Sequence, residues 1–359
     1  MIERYLSDIC GAFGIKSEGI SFGGGHINDT YSAEKDGRPC VLQRINTEVF
    51  KNPDEVMSNI FRVTSHLRLK LKTSNGDADR GTLHFLKTAD GAPYFKDGDG
   101  DCFRVYRFIE NSITVETVSK PAQFYEAAKT FGRFQNMLAD FPAEQLYETI
   151  QQFHDTPNRV KQLNDAINSD CCGRVKECAP ELEYAMKQMP EAGIVCGAIA
   201  ESAVPCRVTH NDTKLNNVLF DEKTGEGVCV IDLDTVMPGS LLYDFGDALR
   251  FGANTAAEDE TDLDKVVFDL NLFEAFTKGF ASELKNTITP AEKELLAFSA
   301  KLMTYECGIR FLADFLNGDT YFKTKYRNHN LDRARNQFQL CRQIDLKRNE
   351  MNKIVNESF

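Results

Sequence analysis

The chain has 359 residues, 42% of them hydrophobic and 27% charged, which is ordinary globular usage and supplies enough apolar material for a sizeable core. Its 54 acids against 42 bases leave a net charge of -12, which argues against a nucleic-acid or anionic-membrane partner. No run approaches the ~20 apolar residues of a membrane span, and Glu3 and Asp8 stand where a secretory leader would be apolar, so a cytoplasmic location is expected. The 11 cysteines, an odd number without a Cys-x-x-Cys, fit reduced thiols better than a disulfide framework or a zinc site, and adjacent Cys171 and Cys172 read as incidental.

Taken in chain order, Ile2, Tyr5, Leu6, Ile9, Cys10 and Phe13 recur at helical spacing before Gly14. Three β-like runs follow, Gly19–Phe22, Thr30–Glu34 and Cys40–Ile45. They are separated by Gly23-Gly24-Gly25 and Asp36-Gly37-Arg38 and predict an antiparallel meander. Pro53 opens a helix with Val56, Met57, Ile60, Val63, Leu67 and Leu71 on one face, ended by Asn75-Gly76-Asp77. Two further strands are expected around Leu83–Leu86 and Cys102–Ile109, giving five strands and one internal helix over residues 1–110. From Pro121 the texture becomes helical through 111–359, with Thr156 expected as a helix cap before Pro157 and long helices over Ala291–Leu316 and Leu331–Asn352. One β-like island, Asn217–Phe220 and Val228–Ile231, interrupts the helices as a hairpin. The fold class is therefore α+β, with a small antiparallel sheet domain and a larger, mostly helical one.

The most informative text is Thr209-His210-Asn211-Asp212-Thr213-Lys214-Leu215-Asn216-Asn217, followed across the hairpin by Ile231-Asp232-Leu233-Asp234. Phosphoryl transfer from ATP needs a carboxylate to orient the attacking hydroxyl and take its proton, and oxygen ligands to hold Mg²⁺ against the phosphates. Asp212 fits the base, and Asn217 and Asp232 fit the metal ligands, at the Asp-x-x-x-x-Asn spacing of a kinase catalytic loop. Any one of them alone would read as a turn residue or a strand-end acid; the ordered set on a hairpin favours chemistry.

Gly23, Gly24 and Gly25 lie between the first two strands, where backbone N–H groups can approach a phosphate, although the segment is not Gly-x-Gly-x-x-Gly. The third strand offers Arg44 rather than a lysine to pair with phosphates. An exposed edge arginine is the competing reading, and Glu55 is its candidate partner. The backbone at Phe108–Glu110 is placed to meet adenine. Asp97-Gly98-Asp99-Gly100-Asp101 fails as a calcium loop, because its sixth position is Cys102 and its twelfth Phe108, and reads as a hairpin turn. The run Glu258-Asp259-Glu260 reads as solvated surface. Arg310, one turn from Glu306 and from Asp314, has a surface ion-pair ladder as its bland alternative.

Together with Gly24-Gly25-His26-Ile27-Asn28, Phe153-His154-Asp155-Thr156-Pro157, Tyr243-Asp244-Phe245-Gly246-Asp247 and Glu306–Asp314, these motifs resemble the N-acetylhexosamine 1-kinase branch of the aminoglycoside phosphotransferase and choline kinase superfamily over essentially the whole chain. The resemblance implies a bilobal protein-kinase-like fold with ATP in the cleft between lobes, Mg²⁺ as cofactor, and phosphorylation of the anomeric hydroxyl of N-acetylglucosamine or N-acetylgalactosamine. It also implies that His26, Asp212, Asp247, Arg310 and Tyr321 face the sugar. Two other readings stay open. One is a kinase of another small hydroxyl substrate, such as an amino alcohol or aminoglycoside. The other is a nucleotide-binding pseudokinase, against which the joint presence of Asp212, Asn217 and Asp232 speaks.

Overall fold

The structure is a computed structural model that describes residues 4–16, 21–23 as backbone, and 28–359. The first helix, α1 (Leu6–Phe13), buries Ile9, Cys10 and Phe13 against Cys40, Leu42, Phe103 and Val105 of a sheet, and ends on Gly14 in the left-handed region. The meander forms as expected from β1 (Ser21–Gly23), β2 (Asp29–Lys35) and β3 (Arg38–Ile45), antiparallel throughout. Residues 19 and 20 of the first predicted strand lie outside the described residues. Lys35 pairs with Arg38, so Asp36 (φ 54) and Gly37 (φ 72) make the two-residue turn whose twist matches that of the strands.

The amphipathic helix α2 (Pro53–Thr73) starts on proline, carries Asp54 and Glu55 in its first turn, and buries Val56, Met57, Ile60, Val63 and Leu67. Then come β4 (Phe85–Leu86), β5 (Phe95–Lys96) and β6 (Cys102–Arg107), and the sheet runs β1-β2-β3-β6-β4 with β5 also on β6. Among the described residues it has six strands where five were expected. β5 is only two residues long, too short to show an alternation, and the Asp97–Asp101 turn after it leads into β6 as a hairpin. A separate two-residue strand, β7 (Ser112–Ile113), follows.

The chain continues through α3 (Pro121–Met137), α4 (Thr156–Ser169), α5 (Ala179–Gln188), α6 (Ile194–Ala200) and β8 (Arg207–Thr209). The hairpin follows as β9 (Val218–Asp221) and β10 (Gly227–Val230). It is not isolated, since β7 pairs with β9 to complete a three-stranded sheet. The last helices are α7 (Leu241–Gly252), α8 (Leu270–Leu284), α9 (Pro290–Leu316), α10 (His329–Leu346) and α11 (Arg348–Ser358). The single helix expected over Leu331–Asn352 is therefore two, broken at Lys347 (φ -103, ψ 6), where apolar spacing alone gives no warning.

Two compact units result. The first comprises residues 1–114, 140–151 and 217–238, and the second comprises the rest. Within the first, buried Asn59 explains why later segments join the sheet domain. Its amide donates to the carbonyls of Tyr147 (2.8 Å) and Val236 (2.9 Å), and its oxygen accepts from Tyr147 N–H (2.9 Å). Within the second, α9 is buried on nearly all sides and opens with a reciprocal capping box between Thr289 and Glu292. α7 lies directly on α9 because Gly246 has no side chain: a Cβ there would collide with the Ser299 carbonyl. At α4 the cap is Asp155, which accepts from Asn158 N–H (2.9 Å), rather than Thr156. Thr156 is released because its hydroxyl donates to Glu306 (2.6 Å). All 11 cysteines are free thiols, and among the described residues no helix is long and apolar enough to cross a membrane.

Candidate active site

In the helical unit, the loop after β8 is built from below by α7. The buried Asp244 carboxylate accepts the backbone N–H groups of His210 (3.0 Å) and Asn211 (2.7 Å), and the Thr213 hydroxyl donates to the Asp244 carbonyl (2.6 Å). One turn on, Asp247 accepts Thr213 N–H (3.2 Å) with one oxygen and holds Arg250 (3.0 and 2.9 Å) with the other. His210 is fully buried, edge-on to Phe131 and Phe134, and its Nδ1 accepts from Asp212 N–H (3.3 Å). These bonds fix Asn211 in the left-handed region (φ 65) and present Asp212, one residue later, as a partly exposed carboxylate. Lys214 meets Asp212 at 2.8 Å. Burial would favour its neutral amine, but the Asp212 carboxylate outweighs that and keeps it protonated. Burial likewise opposes charge on Asp247, yet Arg250, Lys214 and His154 hold its carboxyl below the usual range.

The ladder alternative for Arg310 does not form. Glu306 is taken by His154 Nδ1 (2.8 Å) and the Thr156 hydroxyl, and Asp314 caps a turn by accepting from the N–H groups of Thr320, Tyr321 and Phe322 and from Asn330. Arg310 instead sits over the rings of Phe153 (5.6 Å), Tyr321 (6.0 Å) and Phe322 (5.6 Å), a half-buried guanidinium that forms no ion pair among the described residues. Tyr321 is 64% exposed. Asp247, expected to face the sugar, is buried and uses both oxygens to brace the loop and Arg250. The run Glu258-Asp259-Glu260 is also engaged, with Arg250, Lys325 and Lys265 respectively.

In the sheet unit, Asn217 and Asp232 stand at the base of the β9–β10 hairpin, where Ile231 N–H donates to the Asn217 carbonyl (2.9 Å). Asp232 is a left-handed non-glycine residue (φ 59, ψ 63) at the head of a short turn over Leu233–Thr235. An amide and a carboxylate are the hard oxygen donors that Mg²⁺ takes alongside nucleotide oxygens. Among the described residues, no group of three or more His, Cys, Asp and Glu could hold an ion unaided.

Arg44 forms ion pairs with Asp29 (2.6 Å) and Asp101 (3.1 Å), and not with Glu55. Strand alternation puts it with Cys40 and Leu42 on the α1 face of the sheet, away from Gln43 and Arg104. On that opposite face Arg104 pairs with Asp234, and its own place in the sequence gave no sign of this. Phe108 is half exposed, its N–H donating to the Pro39 carbonyl (3.2 Å), and Glu110 offers its carbonyl to Arg80 (3.3 Å). Gly23 ends β1, while Gly24, Gly25 and His26 lie outside the described residues.

The phosphotransferase enzyme family, APH, matches residues 18–267. The chain belongs to this family. Among solved structures it resembles an aminoglycoside phosphotransferase from Alicyclobacillus acidocaldarius (13% identity, 94% of this chain and 92% of that one, TM-score 0.63). It also resembles choline kinase from Cryptosporidium parvum (14%, 99% and 97%, TM-score 0.58) and a spectinomycin phosphotransferase bound to ADP and spectinomycin (12%, 96% and 98%, TM-score 0.59). The architecture is the α+β protein-kinase-like fold of those phosphotransferases. In the sequence His154, Asp244, Lys214 and Asp234 stand only as parts of motifs, and Glu306 as a ladder neighbour of Arg310. Their roles are tertiary, since each partner lies elsewhere in the chain or is set by the loop's own geometry.

Proposed function

We propose that this APH-family phosphotransferase transfers the γ-phosphoryl group of ATP to the anomeric hydroxyl of N-acetylglucosamine or N-acetylgalactosamine. The observation that carries the substrate class is Arg310, a cation that forms no ion pair among the described residues and lies beside three aromatic faces. A cationic amino alcohol or aminoglycoside needs nearby unpaired acids, and here Glu306, Asp314 and Glu258–Glu260 are all committed to other partners. A neutral sugar with an acetamido carbonyl suits an arginine donor and an aromatic surface instead.

Asp212 takes the proton of the attacking hydroxyl as its oxygen bonds to the γ-phosphorus. The bond to the β,γ-bridging oxygen breaks, and ADP leaves. Lys214, protonated beside Asp212, sits where negative charge moves during transfer. Asp244 and Asp247 hold the loop so that Asp212 needs no rearrangement. Asn217 and Asp232 would hold Mg²⁺, which when bound neutralises phosphate charge. His26 and Tyr321 are further candidates for sugar contact, Gly23–Gly25 for the phosphates and Phe108–Glu110 for adenine, as the family resemblance implies.

The test is a panel of sugars, choline, aminopropanol and kanamycin with Mg-ATP, scored for ADP release and for the product's ³¹P–¹H correlation. Correlation of phosphorus to the anomeric proton of an N-acetylhexosamine is expected. Turnover of an amine in preference to sugars, or phosphorylation at the 6-hydroxyl, overturns the reading.

A further inference from the structure

The least expected feature of the sheet unit is Arg104, which is 2% exposed and the largest fully buried side chain described. It rises from the middle of β6 beside Met57 of α2 and lies over the Phe85 ring at 5.5 Å. Its Nη1 donates to one oxygen of Asp234, and its Nη2 donates to the other at 3.0 Å, a bidentate pair. Gln43, across the strand pair, accepts from its Nε (3.1 Å) and Nη2 (2.9 Å) and donates to Thr30 (3.1 Å). Asn28 donates to Asp234 at 2.7 Å while its own oxygen accepts Asn46 N–H at 2.9 Å. The Thr149 hydroxyl donates to the Asp234 carbonyl at 3.2 Å. Burial disfavours a charged guanidinium, yet the Asp234 carboxylate overrides it and raises the Arg104 pKa.

Such a network, charged and fully enclosed, needs a reason beyond stability, because an ion pair inside a protein gains little over well-packed apolar residues. The reason lies two residues upstream. Asp234 sits in the short turn headed by Asp232, and Asp232 is held in the left-handed region, which a non-glycine residue occupies at some cost. We infer that Arg104 and Asn28 are positioning residues for a divalent metal: by clamping Asp234 they lock the Asp232–Thr235 turn, and so hold Asp232 as a ready-made metal ligand beside Asn217. This rests on the proposed role of Asp232.

The test measures metal binding on the full chain with a non-hydrolysable ATP analogue, using Mn²⁺ read by electron paramagnetic resonance, alongside thermal unfolding. Arg104→Met and Asp234→Asn should each weaken Mn²⁺ binding by about 10–100-fold, the range for residues that orient metal ligands, while analogue binding without metal changes little. The double variant removes both buried charges and should recover much of the unfolding midpoint without recovering Mn²⁺ affinity. A purely structural ion pair predicts that the two recover together, and that result overturns the inference. So does a folded Arg104→Met that binds Mn²⁺ like wild type. If Arg104→Met does not fold, Asn28→Ala, which deletes one bond to Asp234, carries the test: weakened Mn²⁺ binding supports the clamp and unchanged binding overturns it. Asp232→Ala separates the two levels, since wild-type Mn²⁺ affinity there refutes the metal site itself, whatever Arg104 does.

Discussion

Replacing Arg310 by alanine tests the sugar assignment most directly, because the structure gives that side chain so little else to do. It is half-buried on α9, lies over the rings of Phe153, Tyr321 and Phe322, and forms no ion pair among the described residues, the oxygens of Glu306 and Asp314 being hydrogen-bonded to other groups. Losing a cation–π contact of this exposure costs about 0.5–1 kcal/mol, so the unfolding midpoint should move by only a few degrees. A charged hydrogen bond to a bound acetamido or hydroxyl oxygen is worth about 1.5–3 kcal/mol, or roughly 10–150-fold in affinity. Arg310→Ala should therefore raise the sugar KM by one to two orders of magnitude and leave the ATP KM within about twofold. Initial rates by coupled ADP release, varying each substrate at saturation of the other, give both constants. Unchanged sugar kinetics in a well-folded variant would refute the reasoning, as would a rise in the ATP KM equal to that in the sugar KM.

Asp212→Asn should lower kcat by about two to four orders of magnitude with little change in either KM, as for loss of a positioned base; near-normal single turnover in rapid quench would remove Asp212 from the chemistry. Asp232→Ala should cost more Mg²⁺-dependent turnover than Asn217→Ala, since a carboxylate supplies charge where an amide supplies a dipole, and activity against Mg²⁺ concentration ranks the two. The Glu306 carboxyl is disfavoured by burial but held below its ordinary value of 4.5 by His154, Arg310 and Thr156. Its stabilisation is therefore present above about that pH and is lost as pH falls through the depressed folded value. Glu306→Gln should lower the midpoint at neutral pH and flatten the decline below pH 4.5, and parallel acid limbs for the two proteins would contradict this.

The elements were legible where periodicity and punctuation coincide. The Asp36-Gly37 turn, the Pro53 and Pro121 helix starts and the apolar face of α2 follow from local rules, because each is decided by residues a few positions apart. β5 and β7 escaped because two residues carry no period, and β7 turned the apparent lone hairpin into a sheet. Thr156 looked like a cap because Thr-Pro is a common helix start, but buried Glu306 on distant α9 claimed its hydroxyl and left the cap to Asp155. Arg44 and Arg104 show the same limit. Both are strand arginines, and the register between β3 and β6, which no single strand reveals, decides that one meets Asp29 and Asp101 while the other meets Asp234.

Each unit holds a left-handed non-glycine residue at a proposed working position, Asn211 immediately before the proposed base in one and Asp232 as a proposed metal ligand in the other. That conformation costs a non-glycine residue energy, less for Asn and Asp than for others, and it persists where surrounding bonds hold it. Glycine would remove the strain at either position, but at Asp232 it would also remove the oxygen donor, so each unit supplies a buried acid instead. In the helical unit Asp244 accepts the successive N–H groups of His210 and Asn211, and in the sheet unit Asp234 is gripped by Arg104 and Asn28. Both acids sit on rigid supports, a helix pressed against α9 through Gly246 and a turn pinned from β6. A buried carboxylate relaxes poorly when its partners are cut, so the strain is held by groups remote from the reacting atoms. The prediction that separates this arrangement from ordinary packing is kinetic. Asp244→Asn keeps the size of the side chain but weakens its acceptance of both N–H groups, and should lower kcat by at least about tenfold with both KM values little changed. Loss of stability with normal turnover in the folded fraction would make Asp244 a fold residue only.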